Sequence, residues 1–193
     1  KYDSQEFIPV QANFQSDEAA QRVAGQIFTL HAIVFANGHA VYGLLEDHTH
    51  EQMTALWKVH VETPMRITQL LASKLRQQQT SYIIFISSIW GETGASGETV
   101  YSAVKGAQNS FVKAYAKEAA YNGIRVNAIA PGIIETEMNN HLDEDEKAMI
   151  LDEIPLNRYG SPEEVANLTS FVMSGKADYM TGQILRINGG WYI

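Results

Sequence analysis

Short apolar runs alternate with longer amphipathic segments along this chain, and the alternation restricts the fold more than any other feature. Runs typical of buried strands cover residues 31–35, 82–87, 124–129 and 183–187. Patterns typical of helices cover residues 16–28, 50–78, 99–121 and 161–174. Buried strands that alternate with helices predict an α/β fold, a doubly wound parallel sheet with helices on both faces.

Polar caps and helix breakers mark the ends of the predicted helices. Ser16, Thr49 and Ser161 are predicted N-caps, and the last two have a Gln or Glu three residues later that completes a capping box. Pro64 is expected to kink or break the second helix. Gly123 suits the left-handed residue that ends the third helix.

Length and composition limit the class of protein. A chain of 193 residues with 45% apolar content suits one core, so we expect a single domain over residues 1–193. No apolar run approaches the roughly 20 residues of a membrane helix and no leader pattern is present, so we expect a cytoplasmic protein that does not act at a membrane. The lack of cysteine excludes disulfides and thiolate catalysis.

The charge of the chain restricts its partners. A net charge of −8 argues against nucleic acid, because phosphate binding needs clustered Lys and Arg. The acidic run at residues 143–146 is interpreted as the solvated face of a helix, and no metal site is predicted. A cationic substrate fits this balance better than an anionic one.

Three loops with polar or flexible residues follow predicted strands. They contain Asn37 and Gly38, then Ser88, then Pro131 and Gly132. Ligands of parallel sheets bind beyond the carboxyl ends of the strands, where such loops meet. We therefore expect the three loops to converge on one crevice.

Tyr101 and Lys105 stand four residues apart at the start of the third predicted helix. Because four residues are slightly more than one helical turn, both side chains project from one face. The neighbouring cation favours the phenolate, so we expect the pKa of Tyr101 to fall from about 10 toward neutrality. Ser88 could hold the oxygen of a carbonyl group while Tyr101 gives it a proton.

A plainer interpretation of this pair is open. The spacing by itself occurs by chance. The two residues could be a half-buried aromatic and a solvated charge on an ordinary amphipathic helix. The flanking sequence has to decide between the two interpretations.

The flanking motifs resemble the short-chain dehydrogenase/reductase family over nearly the whole chain, and most closely its 3-oxoacyl-[acyl-carrier-protein] reductase-like branch. The matching segments are residues 86–91 (Ile-Ser-Ser-Ile-Trp-Gly), 101–105 (Tyr-Ser-Ala-Val-Lys), 124–132, 134–136, 154–156, 162–166, 181–183 and 188–190. The resemblance implies a Rossmann-type fold and an NAD(P)H-dependent oxidoreductase that reduces a ketone to a secondary alcohol. It implies NADPH rather than NADH as the cofactor.

The resemblance also assigns residues to roles. It makes Tyr101 the acid/base, has Lys105 lower the pKa of Tyr101 and bind the nicotinamide ribose, and has Ser88 orient the substrate oxygen. The cofactor-binding set that it implies is Asn13 and Phe14 at the adenine, Asn37 and Gly38 along the cofactor, Tyr101 and Lys105, and Pro131, Gly132, Ile134 and Thr136 around the nicotinamide. Gly38 and Gly132 could instead serve tight turns, and Asn37 could bond to backbone.

Two departures from the family pattern concern the cofactor and proton transfer. The family begins with a strand and a glycine-rich turn that binds pyrophosphate, and this sequence lacks that N-terminal βαβ unit. His60 stands where the family usually has an asparagine that helps to hold a proton-relay water. We count His60 among the catalytic candidates because an imidazole can relay protons and titrates near neutrality. A satisfied helix histidine without a role is the alternative.

A third departure concerns the substrate. Gln79 and Asn122 stand where carrier-protein reductases of this branch have cations for an acidic partner. The stretch 88–96 resembles reductases of the 5-aminopentanone-modified lysine of elongation factor P, whose amine suits an acidic mouth. A carbonyl substrate carried on a protein is therefore one possibility. A non-catalytic nucleotide-binding sensor or scaffold is another.

The family resemblance further implies self-association. Members usually form homotetramers through the long helices that contain His60 and Tyr101, and a homodimer is the smaller alternative. The apolar terminus at residues 191–193 could pack against a neighbouring subunit or against its own sheet.

Overall fold

A computed structural model describes residues 8–139 and 143–193 of the chain. In these residues, four parallel strands form one sheet in the order β1-β2-β3-β4. The strands are β1 (Ala32–Phe35), β2 (Ser81–Ile86), β3 (Ile124–Pro131) and β4 (Ile184–Ile187). The predicted parallel α/β sheet is confirmed.

Helices connect and cover the strands. They are α1 (Ala19–Ala24), α2 (His50–Trp57), α3 (Thr63–Leu75), α4 (Trp90–Thr93), α5 (Thr99–Ala119), α6 (Glu144–Glu153) and α7 (Pro162–Val172). Single turns of other helix types lie at Leu45–Asp47, Lys58–Glu62, Ala120–Asn122 and Glu137–Asn139. None of the helices in the described ranges is both long and apolar enough to cross a membrane.

Both faces of the sheet are covered, as a doubly wound fold requires. Ile83 and Phe85 of β2 belong to a large buried cluster that includes Leu71 of α3. Ile84, between them, belongs to a second cluster that includes Val172 of α7. Successive strand residues point to opposite faces, so each face of β2 packs on a different helix layer.

Capping residues and a glycine mark most of the predicted helix ends in the structure. Thr49 and Ser161 both complete capping boxes, in which the side chain accepts a hydrogen bond from the backbone N–H three residues later. Gly123 adopts φ 75°, and a Cβ there would lie 2.5 Å from the carbonyl oxygen of Gln79. Asp143 caps α6, which confirms the acidic run as part of a helix.

Three elements differ from the sequence predictions. The helix predicted over residues 16–28 is only α1, and the Ser16 hydroxyl accepts from the backbone N–H of Glu18 in the preceding turn. The helix predicted over residues 50–78 is broken near Pro64, as expected, but the break is the π-helical turn Lys58–Glu62 that precedes this proline, so Pro64 sits near the start of α3. Strand β1 is only partly buried, because its described pairing is with β2 alone and Val34 is 41% exposed.

Candidate active site

A cleft of about 660 Å³ lies at the carboxyl ends of the strands. Asn37 and Gly38 after β1, Ser88 after β2, and Pro131 and Gly132 at the end of β3 all line it. The structure thus brings the three predicted loops together. In a parallel sheet this edge is where the loops and the helix N-termini meet.

Tyr101 and Lys105 reach the cleft from the first turns of α5. Both are buried, with 8% and 4% of their surfaces exposed, and the Lys105 Nζ lies 5.4 Å from the centroid of the Tyr101 ring. The ammonium donates a 2.8 Å hydrogen bond to the carbonyl oxygen of Ile86. The Ser88 side chain is hydrogen-bonded to Tyr101. The interpretation of Lys105 as a solvated charge is therefore wrong.

The protonation of this pair differs from the prediction. The pKa of Tyr101 is raised above its ordinary value, because burial disfavours the phenolate and the charges of Glu98 and Tyr42 oppose it, although the Ser88 hydrogen bond acts in the other direction. Burial also lowers the pKa of Lys105 to about 7. The expected fall of the Tyr101 pKa toward neutrality is wrong, because burial is the largest influence on this pKa and raises it. Tyr101 is consequently a protonated phenol at neutral pH, which is the form that donates a proton.

Close packing of α4 on α5 positions Ser88. A Cβ on Gly91 would lie 2.7 Å from a backbone atom of Lys105, so only glycine allows the two helices to approach this far. The Ser88 hydroxyl oxygen accepts from the backbone N–H of Trp90 at 3.2 Å. Beside it, the Ser87 hydroxyl donates to the side-chain oxygen of Asn109 at 2.7 Å. These bonds fix the end of β2 against α5.

His60 lies in the π-helical turn before α3 and is 1% exposed. Its Nε2 lies 2.8 Å from the carbonyl oxygen of His39, to which a protonated Nε2 donates. Its ring meets the Tyr101 ring edge-on, with centroids 5.6 Å apart and planes at 88°. A Cβ on Gly38 would overlap the imidazole, so this glycine admits the ring.

The predicted titration of His60 near neutrality is wrong. Burial and the positive charge of Lys105 lower the pKa of His60 to about 3, so the ring is neutral at physiological pH. The alternative of a fully satisfied histidine does not hold either. Its Nδ1 is buried without a hydrogen-bond partner among the described residues.

The other cofactor candidates divide into two groups. Pro131, Gly132, Ile134 and Thr136 line the cleft together with Asn37 and Gly38. The Asn37 amide donates to the carbonyl oxygen of Val59 at 2.8 Å, so it also ties the β1 loop to the π-helical turn. A Cβ on Gly132 would lie 3.0 Å from Asn188, which indicates close packing of the two loops.

Asn13 and Phe14 do not line this cleft. The Asn13 side-chain oxygen accepts from the backbone N–H of Gln15 at 3.0 Å, which makes a local turn. The Phe14 ring packs on the large core, and its carbonyl oxygen accepts from the Thr63 hydroxyl at 2.8 Å. The structure therefore keeps these two residues apart from the eight that line the cleft.

Further residues line the cleft that the sequence did not single out as site candidates. They include Tyr42, Glu98 and Trp191. Glu98 precedes Tyr101 by three residues, about one helical turn, and this spacing could have indicated it. Tyr42 and Trp191 come from loops far away in sequence, where no periodic signal exists.

The inner part of the cleft suits the ribose and nicotinamide of a dinucleotide. The buried ammonium of Lys105 has three donors, and no carboxylate is paired with it in the described parts of the chain. Hydroxyl groups of a ribose are acceptors of the right kind for such donors. Within the described residues, no cluster of His, Asp or Glu could hold a metal ion.

Comparison with known sequences places the chain in a family. The family model described as enoyl-(acyl carrier protein) reductase matches residues 8–192. The uncharacterized oxidoreductase YmfI of Bacillus subtilis (strain 168) is 44% identical over 184 residues, which are 95% of this chain and 76% of the relative. The 3-oxoacyl-[acyl-carrier-protein] reductase FabG of Aquifex aeolicus (strain VF5) is 37% identical over 189 residues, 95% of this chain and 75% of the relative.

Solved structures agree with this placement. A putative 2-deoxy-d-gluconate 3-dehydrogenase from Agrobacterium tumefaciens with bound NADP has a TM-score of 0.86 and 30% identity, covering 93% of this chain and 74% of that one. A 4-hydroxyisoleucine dehydrogenase complexed with NADH has a TM-score of 0.90 at 23% identity, covering 95% and 78%, and shows the shared fold. The chain therefore belongs to the short-chain dehydrogenase/reductase family of oxidoreductases, in the branch of the 3-oxoacyl-[acyl-carrier-protein] reductases.

Proposed function

We propose that the protein reduces a ketone to a secondary alcohol, with NADPH as the preferred reductant, in the manner of the 3-oxoacyl-[acyl-carrier-protein] reductases. One observation carries the proposal. Ser88, Tyr101 and Lys105 are buried together at a cleft on the carboxyl edge of the sheet. A hydroxyl, a protonated phenol and an ammonium are the groups that reduction of a carbonyl needs.

Each of the three side chains has a role in the proposed reaction. Ser88 and Tyr101 donate hydrogen bonds to the substrate oxygen and orient the carbonyl group. A reduced nicotinamide, when bound, supplies the hydride to the carbonyl carbon. Tyr101 gives its proton to the developing alkoxide, and the Lys105 ammonium stabilises the phenolate that remains.

The neighbouring residues would hold the cofactor and tune proton transfer. Lys105 would bind the ribose hydroxyls, and the loops with Asn37, Gly38, Pro131 and Gly132 would bind the nicotinamide half. Ile134 and Thr136 would frame the ring from the loop after β3. Asn13 and Phe14 at the adenine stay a prediction. The preference for NADPH is supported by the branch and by the NADP in a similar dehydrogenase structure.

His60 has a positional role in this proposal. Its neutral ring holds the backbone of His39 and packs against the ring of Tyr101. It therefore helps to set the position of the proton donor. We assign it to this function rather than to a titrating relay.

A second substrate is supported by one specific observation. Glu98 lines the cleft, so an ammonium group on the substrate would meet a carboxylate there. Outside the cleft, Gln79 and Asn122 are uncharged where carrier-protein reductases of this branch have cations for an acidic partner. The 5-aminopentanone-modified lysine of elongation factor P is a substrate with such an ammonium group, carried on a protein. This is the alternative to an acyl-carrier substrate.

We further propose that the chain is a single Rossmann-type domain that works in the cytoplasm as a homotetramer or homodimer. The proposed association between subunits is supported by a surface groove of about 480 Å³ on α2, α3 and α5. Trp57 and Met65 at this groove are 48% and 40% exposed, and Phe111 and Tyr115 line it too. Large exposed apolar groups in one patch are typical of an interface.

A turnover assay tests the function. The full chain is mixed with NADPH or NADH and a panel of acyl and amino ketones, and loss of reduced cofactor is followed by absorbance while the alcohol is identified by mass spectrometry. We expect turnover with NADPH and at least one ketone. Saturable cofactor binding without turnover of any ketone would contradict the proposal and favour the sensor or scaffold.

A further inference from the structure

One wall of the cleft is apolar and comes from separate parts of the chain. Its residues are Trp90 of α4, Ile133 after β3, Ile150 of α6 and Trp191. All of them pack in one apolar cluster with Ile154, which is buried. We call Trp90, Ile133, Ile150 and Trp191 the tryptophan wall. The proposed reaction gives none of these side chains a role.

The tryptophan wall begins beside the reaction centre. The backbone N–H of Trp90 donates to the hydroxyl oxygen of Ser88 at 3.2 Å, and both residues line the cleft. Ile133 directly follows Gly132, another residue of the lining. In the proposed reaction, Ser88 holds the oxygen of the ketone. One of the two substituents on the carbonyl carbon therefore comes to lie against this wall.

The indole rings of the wall are held from several sides. The Trp90 ring packs edge-on against the rings of Trp191 and Tyr192, with centroids 5.0 and 5.4 Å apart. The Trp191 indole N–H donates to the Glu153 carboxylate at 3.1 Å. Edge-on aromatic pairs are stabilising beyond the area that they bury. A substrate that displaced either ring would break these contacts, so the wall keeps its shape.

The segment that carries Trp191 is closely packed on the chain that follows α6. A Cβ on Gly189 would lie 2.9 Å from the side chain of Ile154, and a Cβ on Gly190 would lie 3.0 Å from that of Pro155. Side chains at these two positions would push the segment away from its support. The close approach fixes where the Trp191 ring lies, and with it the ring of Trp90.

We propose that the tryptophan wall admits only a short substituent, and that Trp90 sets this limit. The inference rests on the proposed ketone reduction and narrows its substrate class to ketones with at least one short substituent. The cleft of about 660 Å³ has to hold the nicotinamide half of the cofactor together with the ketone. The Trp90 indole takes up the space beside Ser88 that a longer alkyl chain would need.

Two matched β-keto esters test the proposal. Ethyl 3-oxobutanoate has a methyl group on the ketone carbon, ethyl 3-oxooctanoate has a pentyl group there, and the two are otherwise identical. We expect kcat/KM of the full chain with NADPH to favour the methyl ketone by at least about tenfold, since one methylene too many in an apolar pocket has an effect of this size. In Trp90→Leu the ratio should fall to about one or reverse, because the pentyl group gains apolar contacts in the enlarged cleft.

Control variants separate the wall from the cluster behind it. Tyr159 packs on the same apolar cluster but does not line the cleft, so Tyr159→Leu should keep the parent ratio. Trp90→Phe keeps a smaller ring and should lower the ratio less than Trp90→Leu does. It also serves as the test if Trp90→Leu does not fold.

The outcomes distinguish this inference from the proposed function. Equal kcat/KM for the two esters in the parent, a preference for the pentyl ketone, or a ratio that survives in the Trp90 variants would overturn the role of Trp90 and leave ketone reduction standing. If the parent reduces neither ester but reduces another ketone of the panel, methyl and pentyl groups are compared on that scaffold. If no ketone is reduced, the proposed function falls and this inference falls with it.

Discussion

Burial sets the protonation states of Tyr101, Lys105 and His60 in the cleft. Each of these side chains is at most 8% exposed, and each shifts toward its neutral form. Burial is the largest cause of all three pKa shifts. In the protein without ligands, Tyr101 is therefore protonated and can donate a proton, and Lys105 loses its charge near neutral pH.

The pH dependence of reduction should follow from Lys105. Because its pKa is about 7 and the phenolate of Tyr101 needs the ammonium, we expect kcat/KM to fall as the pH rises above about 7. Tyr101 should not cause this decline, since its own pKa is raised. Steady-state kinetics across the pH range gives the profile.

An independent titration identifies the group. The ultraviolet difference spectrum between the parent and Tyr101→Phe reports the phenolate of Tyr101. We expect no phenolate from this residue below the ordinary phenol pKa of about 10. A phenolate that appears together with the decline in kcat/KM would assign the decline to Tyr101 and contradict this account.

His60→Asn should leave the shape of the pH–rate profile unchanged between about pH 5 and 8, because His60 is already neutral there. The variant should change the free energy of unfolding at low pH instead. The unfolded histidine binds a proton below about pH 6.5, whereas the folded one does so only near 3.

The stability that neutral His60 gives is thus fully present above about pH 6.5 and is lost as the pH falls, by up to about 1.4 kcal/mol per pH unit. His60→Asn should lose this slope. Urea unfolding at several pH values measures it. Parent and variant curves that run parallel below pH about 6 would show that His60 titrates normally in the folded state.

At the scale of elements, helix ends depend on single residues whose surroundings differ. Gly123 and Gly175 both have positive φ, 75° and 82°. A Cβ on Gly123 would lie 2.5 Å from the carbonyl oxygen of Gln79, whereas a Cβ on Gly175 would have no neighbour within 4 Å. The two sites therefore separate backbone strain from steric overlap.

Gly175→Ala should lower the free energy of unfolding by about 1–2 kcal/mol, because alanine disfavours the left-handed backbone conformation. Gly123→Ala should cost roughly 1–3 kcal/mol more, because the backbone of the α3–β2 connection has to move. Denaturant midpoints of the two variants give the comparison. Equal losses would contradict the close approach of Gly123 to Gln79.

Local chemistry made several elements predictable from the sequence. Thr49 and Ser161 cap their helices because each capping box is formed within four residues, without help from the rest of the fold. The apolar runs of β2 and β3 are continuous because both strands are buried on two faces. The convergence of three loops follows from parallel strands alone.

Tertiary structure decided the features that the sequence did not predict. The short α1 and the exposed Val34 depend on which elements cover them. The π-helical turn around His60 packs against α5, whose Gln108 amide donates to the carbonyl oxygen of His60 at 2.6 Å. The pKa of Tyr101 depends on how completely it is buried, which residue spacing does not reveal.

At the scale of the whole molecule, the groove on α2, α3 and α5 is the proposed interface between subunits. Trp57→Lys with Met65→Lys should place charges in that interface and reduce the mass in solution toward the monomer. Light scattering after size-exclusion chromatography measures the mass. Tyr179→Lys, at a fully exposed tyrosine outside the groove, is the control and should leave the mass unchanged.

If the double variant forms an oligomer of the same mass as the control, the groove is not the interface between subunits. A parent protein that is already a monomer would lead to the same conclusion. An unchanged far-ultraviolet circular dichroism spectrum of the variants would confirm that the charges act on association and not on folding, because loss of association by itself lowers the denaturant midpoint.

The most direct test of the account compares Tyr101→Phe with the parent under reduced cofactor and a ketone that the parent turns over. The variant loses the proton donor and keeps the ring against His60, so turnover should fall by about 10²–10⁴-fold while the Kd for NADPH stays the same. Tyr179→Phe should keep the parent rate. Undiminished turnover in Tyr101→Phe would contradict the central claim that this phenol, with Ser88 and Lys105, carries out the reduction.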